Sequence, residues 1–219
     1  MGGDPVKKAV IFDLDGTLWN TVPQIVVAFN EVLARYPELN KQIDEAELRS
    51  YMGLNQVELA ARMLPMVSFE RQQELVEECF ANEVGTLKVK PGVPYPYLKE
   101  TLAQLSGEYF LAVVSNCQAG YIETFLDGLG VGEYISDHEC FATGLPKGEN
   151  IRLVMERNGI DRAVYLGDTQ GDLNAADLAD IPFIYAAYGF GSVDRETARI
   201  NSLTELPELA EKLLGEGRG

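Results

Sequence analysis

Four short runs of apolar residues, at 9–12, 110–114, 163–166 and 181–184, punctuate the chain, each bounded by polar or turn-forming positions. Continuous apolar runs of this length fit strands buried on both faces. A weaker run lies near 139–142. Between them, hydrophobic positions recur at three- and four-residue spacing over 96–105, 119–129, 150–158 and 171–178, the period of a helix with one buried face. Strands alternating with helices predict an α/β fold, a Rossmann-like parallel sheet covered on both faces, with ligands beyond the strands' carboxyl ends.

Between Trp19 and Lys90 the alternation stops. About 70 residues carry only helical periodicity, at 22–36, 44–52, 56–64 and 69–82, which is far too many for a structureless loop in a compact domain. The pattern predicts an all-helical cap over 19–90, inserted after the first strand, on a core built from 1–18 and 91–219. The chain leaves the core just after that strand and returns at Lys90-Pro91-Gly92, so both crossings lie beside the strand's end. No internal repeat or low-complexity segment is visible, and the Gly-rich stretch 215–219 reads as a frayed terminus.

Composition changes this picture only by exclusion. A chain of 219 residues with 46% hydrophobic content can bury a full core. Its net charge of −16 argues against nucleic acid and anionic membranes, whose phosphates most of this surface would repel. A phosphorylated partner must then be small and locally compensated. Three scattered cysteines, Cys79, Cys117 and Cys140, make neither a disulfide framework nor a zinc site and fit a reducing cytoplasm. No signal peptide or membrane span is expected. Nothing fixes an oligomeric state, and a monomer is compatible with the sequence.

The chemistry concentrates where the strands end. In Val10-Ile11-Phe12-Asp13-Leu14-Asp15-Gly16-Thr17-Leu18, strand alternation sends Asp13 and Asp15 the same way, while Gly16 permits a sharp exit and Thr17 adds a hydroxyl. The bland reading is a solvated Asp-rich turn. The strand at 111–114 ends in Ser115-Asn116, a hydroxyl and a backbone amide suited to phosphate oxygens, although strands also end this way for turn reasons. Lys147 is the only lysine between Asn116 and Asp168 and precedes a helix, where it reaches a negative intermediate or simply meets solvent. In Val164-Tyr165-Leu166-Gly167-Asp168-Thr169-Gln170-Gly171-Asp172 a strand runs into two aspartates, the second of which can also cap the following helix. Four carboxylates converging with only oxygen donors require a hard cation, and Mg2+ fits better than zinc.

Asp-x-Asp-Gly-Thr resembles the signature of the haloacid dehalogenase superfamily, and the later segments resemble its other motifs in order, most like the phosphoglycolate-phosphatase-like members with a helical cap. The resemblance implies a Mg2+-dependent phosphatase of small phosphorylated metabolites. Asp13 would be the nucleophile forming an aspartyl-phosphate, and Asp15 the acid and base. The metal would be held by the Asp13 carboxylate, the Asp15 carbonyl and Asp168, with Asp172 positioning Asp168 or a bound water. Phosphate would meet Ser115, Asn116 and Thr17, and the cap turn Met52-Gly53-Leu54-Asn55 would offer Gly53 and Asn55 to the ester. The same turn reads otherwise as a plain interhelical connection in which Asn55 caps a helix.

Two departures stand out. Relatives commonly write Lys-Pro where this chain has Leu145-Pro146-Lys147, so Lys147 is displaced by two positions, which keeps the same face in an extended segment. Asn20-Thr21 replaces the frequent Asp-Ser.

The acid at Asp15 sets the chain apart from dehalogenases. A cap without histidine argues against the alternative of a sugar-phosphate mutase of the beta-phosphoglucomutase type. A non-catalytic phosphate-binding member would be expected to have lost a carboxylate. The only histidine, His138, reads as a partly exposed core-edge residue. No cysteine has an arginine six positions on, where Gly85, Glu123 and Pro146 stand, and no Gly-x4-Gly-Lys-Ser/Thr loop exists.

Overall fold

The computed structural model describes residues 6–215. Residues 1–5 of the expected core, and all but Gly215 of the stretch expected to fray, lie outside it. Strand β1 (Lys8–Phe12) is followed by the two-residue β2 (Trp19–Asn20) and then by helices α1 (Val22–Leu33), α2 (Glu45–Arg49), α3 (Gln56–Met63) and α4 (Phe69–Val89). The chain returns through β3 (Val93–Pro94), which pairs antiparallel with β2. It continues as α5 (Leu98–Ser106), β4 (Phe110–Val114), α6 (Tyr121–Leu129), β5 (Asp137–Glu139) and α7 (Lys147–Arg157). The last elements are β6 (Arg162–Gly167), α8 (Gln170–Ala179), β7 (Phe183–Ala186), β8 (Ala198–Ile200) and α9 (Leu206–Gly215).

Six strands form one parallel sheet in the order β5-β4-β1-β6-β7-β8. The connections run outward in opposite directions from β1, so the order reverses between β1 and β6, and ligands of such sheets bind at the carboxyl ends beside that reversal.

Alternation along the strands builds two cores. Val10, Phe12, Leu111, Val113, Val164 and Leu166 pack on α5, α6 and α9. On the opposite face Ile11, Ala112, Val114 and Tyr165 meet Ile151 and Val154 of α7 and Leu173 of α8. Each such side chain contributes about 1.5–3 kcal/mol on leaving water. The helical block has its own apolar centre, in which Phe29 and Val32 of α1 meet Leu48, Met63, Leu75 and Val76.

The α/β architecture matches the expectation, and several elements differ in extent. The polar edge strand β5 occupies Asp137–Glu139 rather than 139–142, because Arg157 side-chain bonds hold its carboxylates and backbone pairing with β4 needs no apolar run. Helix α4 continues seven residues past 82, through Gly85, because Glu83 and Leu87 are buried and their packing outweighs the roughly 1 kcal/mol cost of an interior glycine. Strand β8 and the β2–β3 pair had no clear pattern, being only two or three residues long, and helix α9, with Leu206, Ala210 and Leu214 at four-residue spacing, adds an element not among the expected ones.

Candidate active site

The site grows from the end of β1. The strand stops at Phe12, and the Asp13 N–H still donates to the Leu166 carbonyl at 2.8 Å. From there the chain turns, with Leu18 N–H on the Leu14 carbonyl at 2.8 Å and Gly16 N–H on the Trp19 carbonyl at 2.9 Å. Alternation carries on past the strand's end, since Leu14 packs in the same core as Val10 and Phe12. The turn sends the two carboxylates to different partners, while both line one cavity between the sheet and the helical block.

Asp13 joins Asp168 and Asp172. One carboxylate oxygen from each lies within 4.8 Å of the others, and all three residues are buried. Lys147, the first residue of α7, is only 6% exposed. Its Nζ donates to Asp13 Oδ1 at 2.9 Å and to Asp172 Oδ1 at 2.7 Å. The displaced lysine thus lies against Asp13, because Pro146 ends the preceding loop and the helix starts with Lys147 turned inward.

Asp168 follows β6 and is gripped from two loops. The Phe190 N–H donates to its Oδ2 at 2.6 Å, and the Thr17 hydroxyl to its Oδ1 at 3.3 Å. Gly16, at φ +82°, allows this approach, since a Cβ there would stand 2.3 Å from Asp168 Oδ2. Asp172, the third residue of α8, closes a capping box with the N-cap Thr169 and so orients the loop. Its Oδ2 accepts from the N–H groups of Asp168 and Thr169 at 3.1 and 2.9 Å and from the Thr169 hydroxyl at 2.7 Å.

Asp15 faces elsewhere in the cavity. Its Oδ1 accepts from the Thr21 hydroxyl at 2.6 Å and from the Tyr121 hydroxyl at 2.8 Å. Asn20 lies one residue before the N-cap Thr21 and accepts from Val22 N–H at 3.1 Å, while the Thr21 hydroxyl makes no bond to the helix and holds Asp15. Ser115 N–H is taken by the Glu139 carbonyl at 3.1 Å, so the Ser115 hydroxyl rather than its amide faces Asp13. Asn116 lines the cavity and donates to the Gly53 carbonyl at 3.0 Å, tying the sheet's edge to the helical block.

Gly53 lines the cavity of Asp13 and Asp15, and Asn55 lines the adjoining cavity, which also contains Gly53, Asn116 and Lys147. The Asn55 side chain also accepts from Glu58 N–H at 3.0 Å as the cap of α3. His138 lies on edge strand β5, with Nε2 3.4 Å from a Glu123 carboxylate oxygen. The three cysteines are free thiols.

Charge is heavily concentrated here. Burial, reinforced by Asp172 and opposed by Lys147 and the Ser115 hydrogen bond, raises the Asp13 carboxyl to about 6. Burial raises Asp15 to about 7 against the restraining Thr21 and Tyr121 hydrogen bonds. Asp168 is pushed well above the usual range by burial, Asp172 and Asp13. Burial lowers the Lys147 ammonium's affinity for its proton, but Asp13 and Asp172 outweigh it and hold the group charged. One ammonium among three buried carboxylates leaves uncompensated negative charge, and the donors in that cluster are oxygens. This set suits a hard divalent cation.

Tyr121, Phe190 and Glu83 were not singled out from sequence, and Thr21 stood out only as a departure beside Asn20. Tyr121 sits within helical periodicity and reads as an ordinary helix position, while Glu83 lies just past the helix expected over 69–82. The Gly189-Phe190-Gly191 loop after β7 carried a signal, being glycine-rich at the carboxyl end of a strand.

A doubly wound parallel sheet with an acid cluster at its reversal point and a helical insert above it defines a hydrolase of the haloacid dehalogenase type. Residues 10–186 match the family model of haloacid dehalogenase-like hydrolases, and the chain belongs to that family. It is 30% identical to a phosphoglycolate phosphatase of Mesorhizobium japonicum over 95% of this chain and 97% of that one. A predicted phosphoglycolate phosphatase from Haemophilus somnus superposes with a TM-score of 0.79 at 22% identity, covering 94% of this chain and 99% of the other. CbbY from Rhodobacter sphaeroides, solved in complex with phosphate, superposes at 0.76 with 20% identity, covering 92% and 96%. The protein is a phosphatase of this family, similar to phosphoglycolate phosphatases. No helix among the described residues is long and apolar enough to cross a membrane.

Proposed function

We propose that the protein is a Mg2+-dependent phosphatase that hydrolyses a small phosphorylated metabolite through an aspartyl-phosphate on Asp13. The observation that carries this reading is the Lys147 ammonium bound to Asp13 and Asp172, in a buried carboxylate cluster that opens on the cavity.

Asp13 attacks the phosphorus in line and expels the alcohol, so its carboxylate is both nucleophile and anchor. Asp15, held by Thr21 and Tyr121, protonates the leaving oxygen and then takes a proton from the water that releases phosphate. Lys147, Ser115 and Asn116 are donors for the charge on the equatorial oxygens. Asp13, the Asp15 carbonyl and Asp168 would hold Mg2+, which when bound supplies Lewis acidity and neutralises the cluster. Asp172 orients Asp168 through the loop it caps.

Residues 19–90 act as a cap on the core formed by 1–18 and 91–219, excluding bulk water and selecting the leaving group. The lack of histidine in 19–90 supports hydrolysis over mutase chemistry, and three free thiols suit a reducing compartment such as the cytoplasm.

The test is phosphate release from a panel of phosphorylated metabolites, run with Mg2+ and again with excess chelator after verified metal removal. Release is expected only with the metal. Undiminished turnover in chelator would overturn the reading.

A further inference from the structure

Asp168 is gripped by a loop that the helical block in turn touches. The Phe190 N–H, in the loop after β7, donates to Asp168 Oδ2 at 2.6 Å. That loop lies directly on the acid, since a Cβ on Gly189 would stand 2.2 Å from the Asp168 Cβ. A shift of the loop is therefore a shift of the donor that fixes the carboxylate.

The Phe190 ring meets the helical block. Among the described residues it is the one apolar side chain from outside 19–90 packed against that block's apolar centre. The guanidinium of Arg49, the last residue of α2, stands 5.0 Å from the ring centroid. The other partner of Arg49, Glu45 at 3.5 Å, forms an exposed pair of the kind that contributes little. Four residues on, Gly53 lies against the opposite flank of Asp168. A Cβ there would stand 3.2 Å from the hydroxyl oxygen of Thr169, which donates to Asp172. Residues 49–53 thus rest on both loops that frame Asp168.

Resting on the Mg2+ site of the reading above, we propose that Phe190 and Arg49 are positioning residues for Asp168. The docked cap, through the contact of Arg49 with the Phe190 ring, holds the Phe190 N–H on the carboxylate, so cap docking and cation binding favour each other. By linkage the coupling runs equally in both directions. Charge alone acts in the opposite sense, because removing a guanidinium near an acidic site makes that site more attractive to a cation. The sign of the effect therefore separates positioning from electrostatics.

The test is calorimetric Mg2+ binding to the full chain after verified metal removal, without substrate. Arg49→Ala and Phe190→Leu should each raise the Mg2+ dissociation constant about two- to fivefold, the worth of one exposed cation–ring contact. The double variant should lose less than the two effects combined, because both substitutions remove the same contact. Metal-free melting curves check that each variant is folded. The reciprocal readout is hydrogen exchange. Saturating Mg2+ should slow exchange at the amides of 45–53 more than at those of 70–80 in the same block, and Arg49→Ala should erase that difference.

An unchanged or lower dissociation constant in Arg49→Ala would overturn the proposal, as would fully additive losses in the double variant. Phosphate release by the wild-type chain with Mg2+ in either case would leave the phosphatase reading standing. No Mg2+ binding to the wild-type chain would overturn the cation site and this proposal together.

Discussion

Asp13 and Asp15 are chemically identical, yet the geometry gives them different surroundings. Asp13 meets an ammonium and two carboxylates, whereas Asp15 meets two hydroxyls. Unequal consequences of substitution follow. Asp13→Asn should abolish phosphoenzyme formation with every substrate. Asp15→Asn keeps the backbone carbonyl but loses the acid and base, so it should still be labelled by an activated aryl phosphate and then hydrolyse slowly. Rapid-quench labelling followed by peptide mapping decides this, and equal labelling of both variants would refute the assignment. Lys147→Ala should lower kcat at least about a hundredfold, comparable to removing one preorganised stabiliser. It should also lower the melting temperature, since the buried Asp13 and Asp172 lose their counter-charge. A near-normal rate would reduce Lys147 to a structural ion-pair partner.

The edge strand β5 depends on one arginine. Arg157 of α7 donates from Nε and one Nη to the two Asp137 oxygens, each at 2.7 Å, and from its other Nη to Glu139 at 2.7 Å. Burial pushes the Asp137 carboxyl up, but the hydrogen bonds from Arg157 and Asn158 outweigh it and hold it below its usual 3.8. A carboxyl depressed in the folded state stabilises the fold above its unfolded pKa, and that contribution disappears as the pH falls through the folded value. Because these side chains are partly exposed, the network is worth only about 1 kcal/mol, or roughly 2–4 °C for a chain of this size. Arg157→Ala should therefore melt a few degrees below wild type at pH 7, and the gap should close as the pH drops below the carboxylate range. A gap that persists at low pH would attribute the loss to packing of the arginine stem instead.

The molecule as a whole carries a charge of −16, and three of its carboxylates are brought together in one dry cluster. A divalent cation that binds only the assembled cluster stabilises the folded state by mass action, by about 2.7 kcal/mol at a hundredfold excess over its dissociation constant. For a chain of this size that amounts to a rise of roughly 5–10 °C in melting temperature. Thermal scans with Mg2+ and with chelator should show this difference, and Asp168→Asn should abolish it. Calcium should also raise the melting temperature yet support turnover poorly, since its looser coordination misplaces the nucleophile. Equal melting with and without metal would count against the cluster as a cation site.

The sequence by itself determined the architecture, because strand and helix periods alternate visibly wherever an element buries one face or two. It also determined the acid positions, since Asp13, Asp168 and Asp172 follow apolar runs that could only be adjacent buried strands. Lys147 was legible as a candidate by elimination, but only the start of α7 at that residue turned it onto Asp13. Tertiary structure alone decided the rest. The partners of Asp15 are Thr21 and Tyr121, the second 106 residues away. Asn55 caps α3 with its side chain on the Glu58 N–H and at the same time lines the cavity beside Gly53, Asn116 and Lys147, a placement its own neighbours in sequence do not reveal. Glu83 could not be read from its neighbours at all, since a glutamate on a helix normally faces water. Its burial follows from α4 running on to pack beside α6, and which face of a long helix is covered is set by what packs against it, not by its own period.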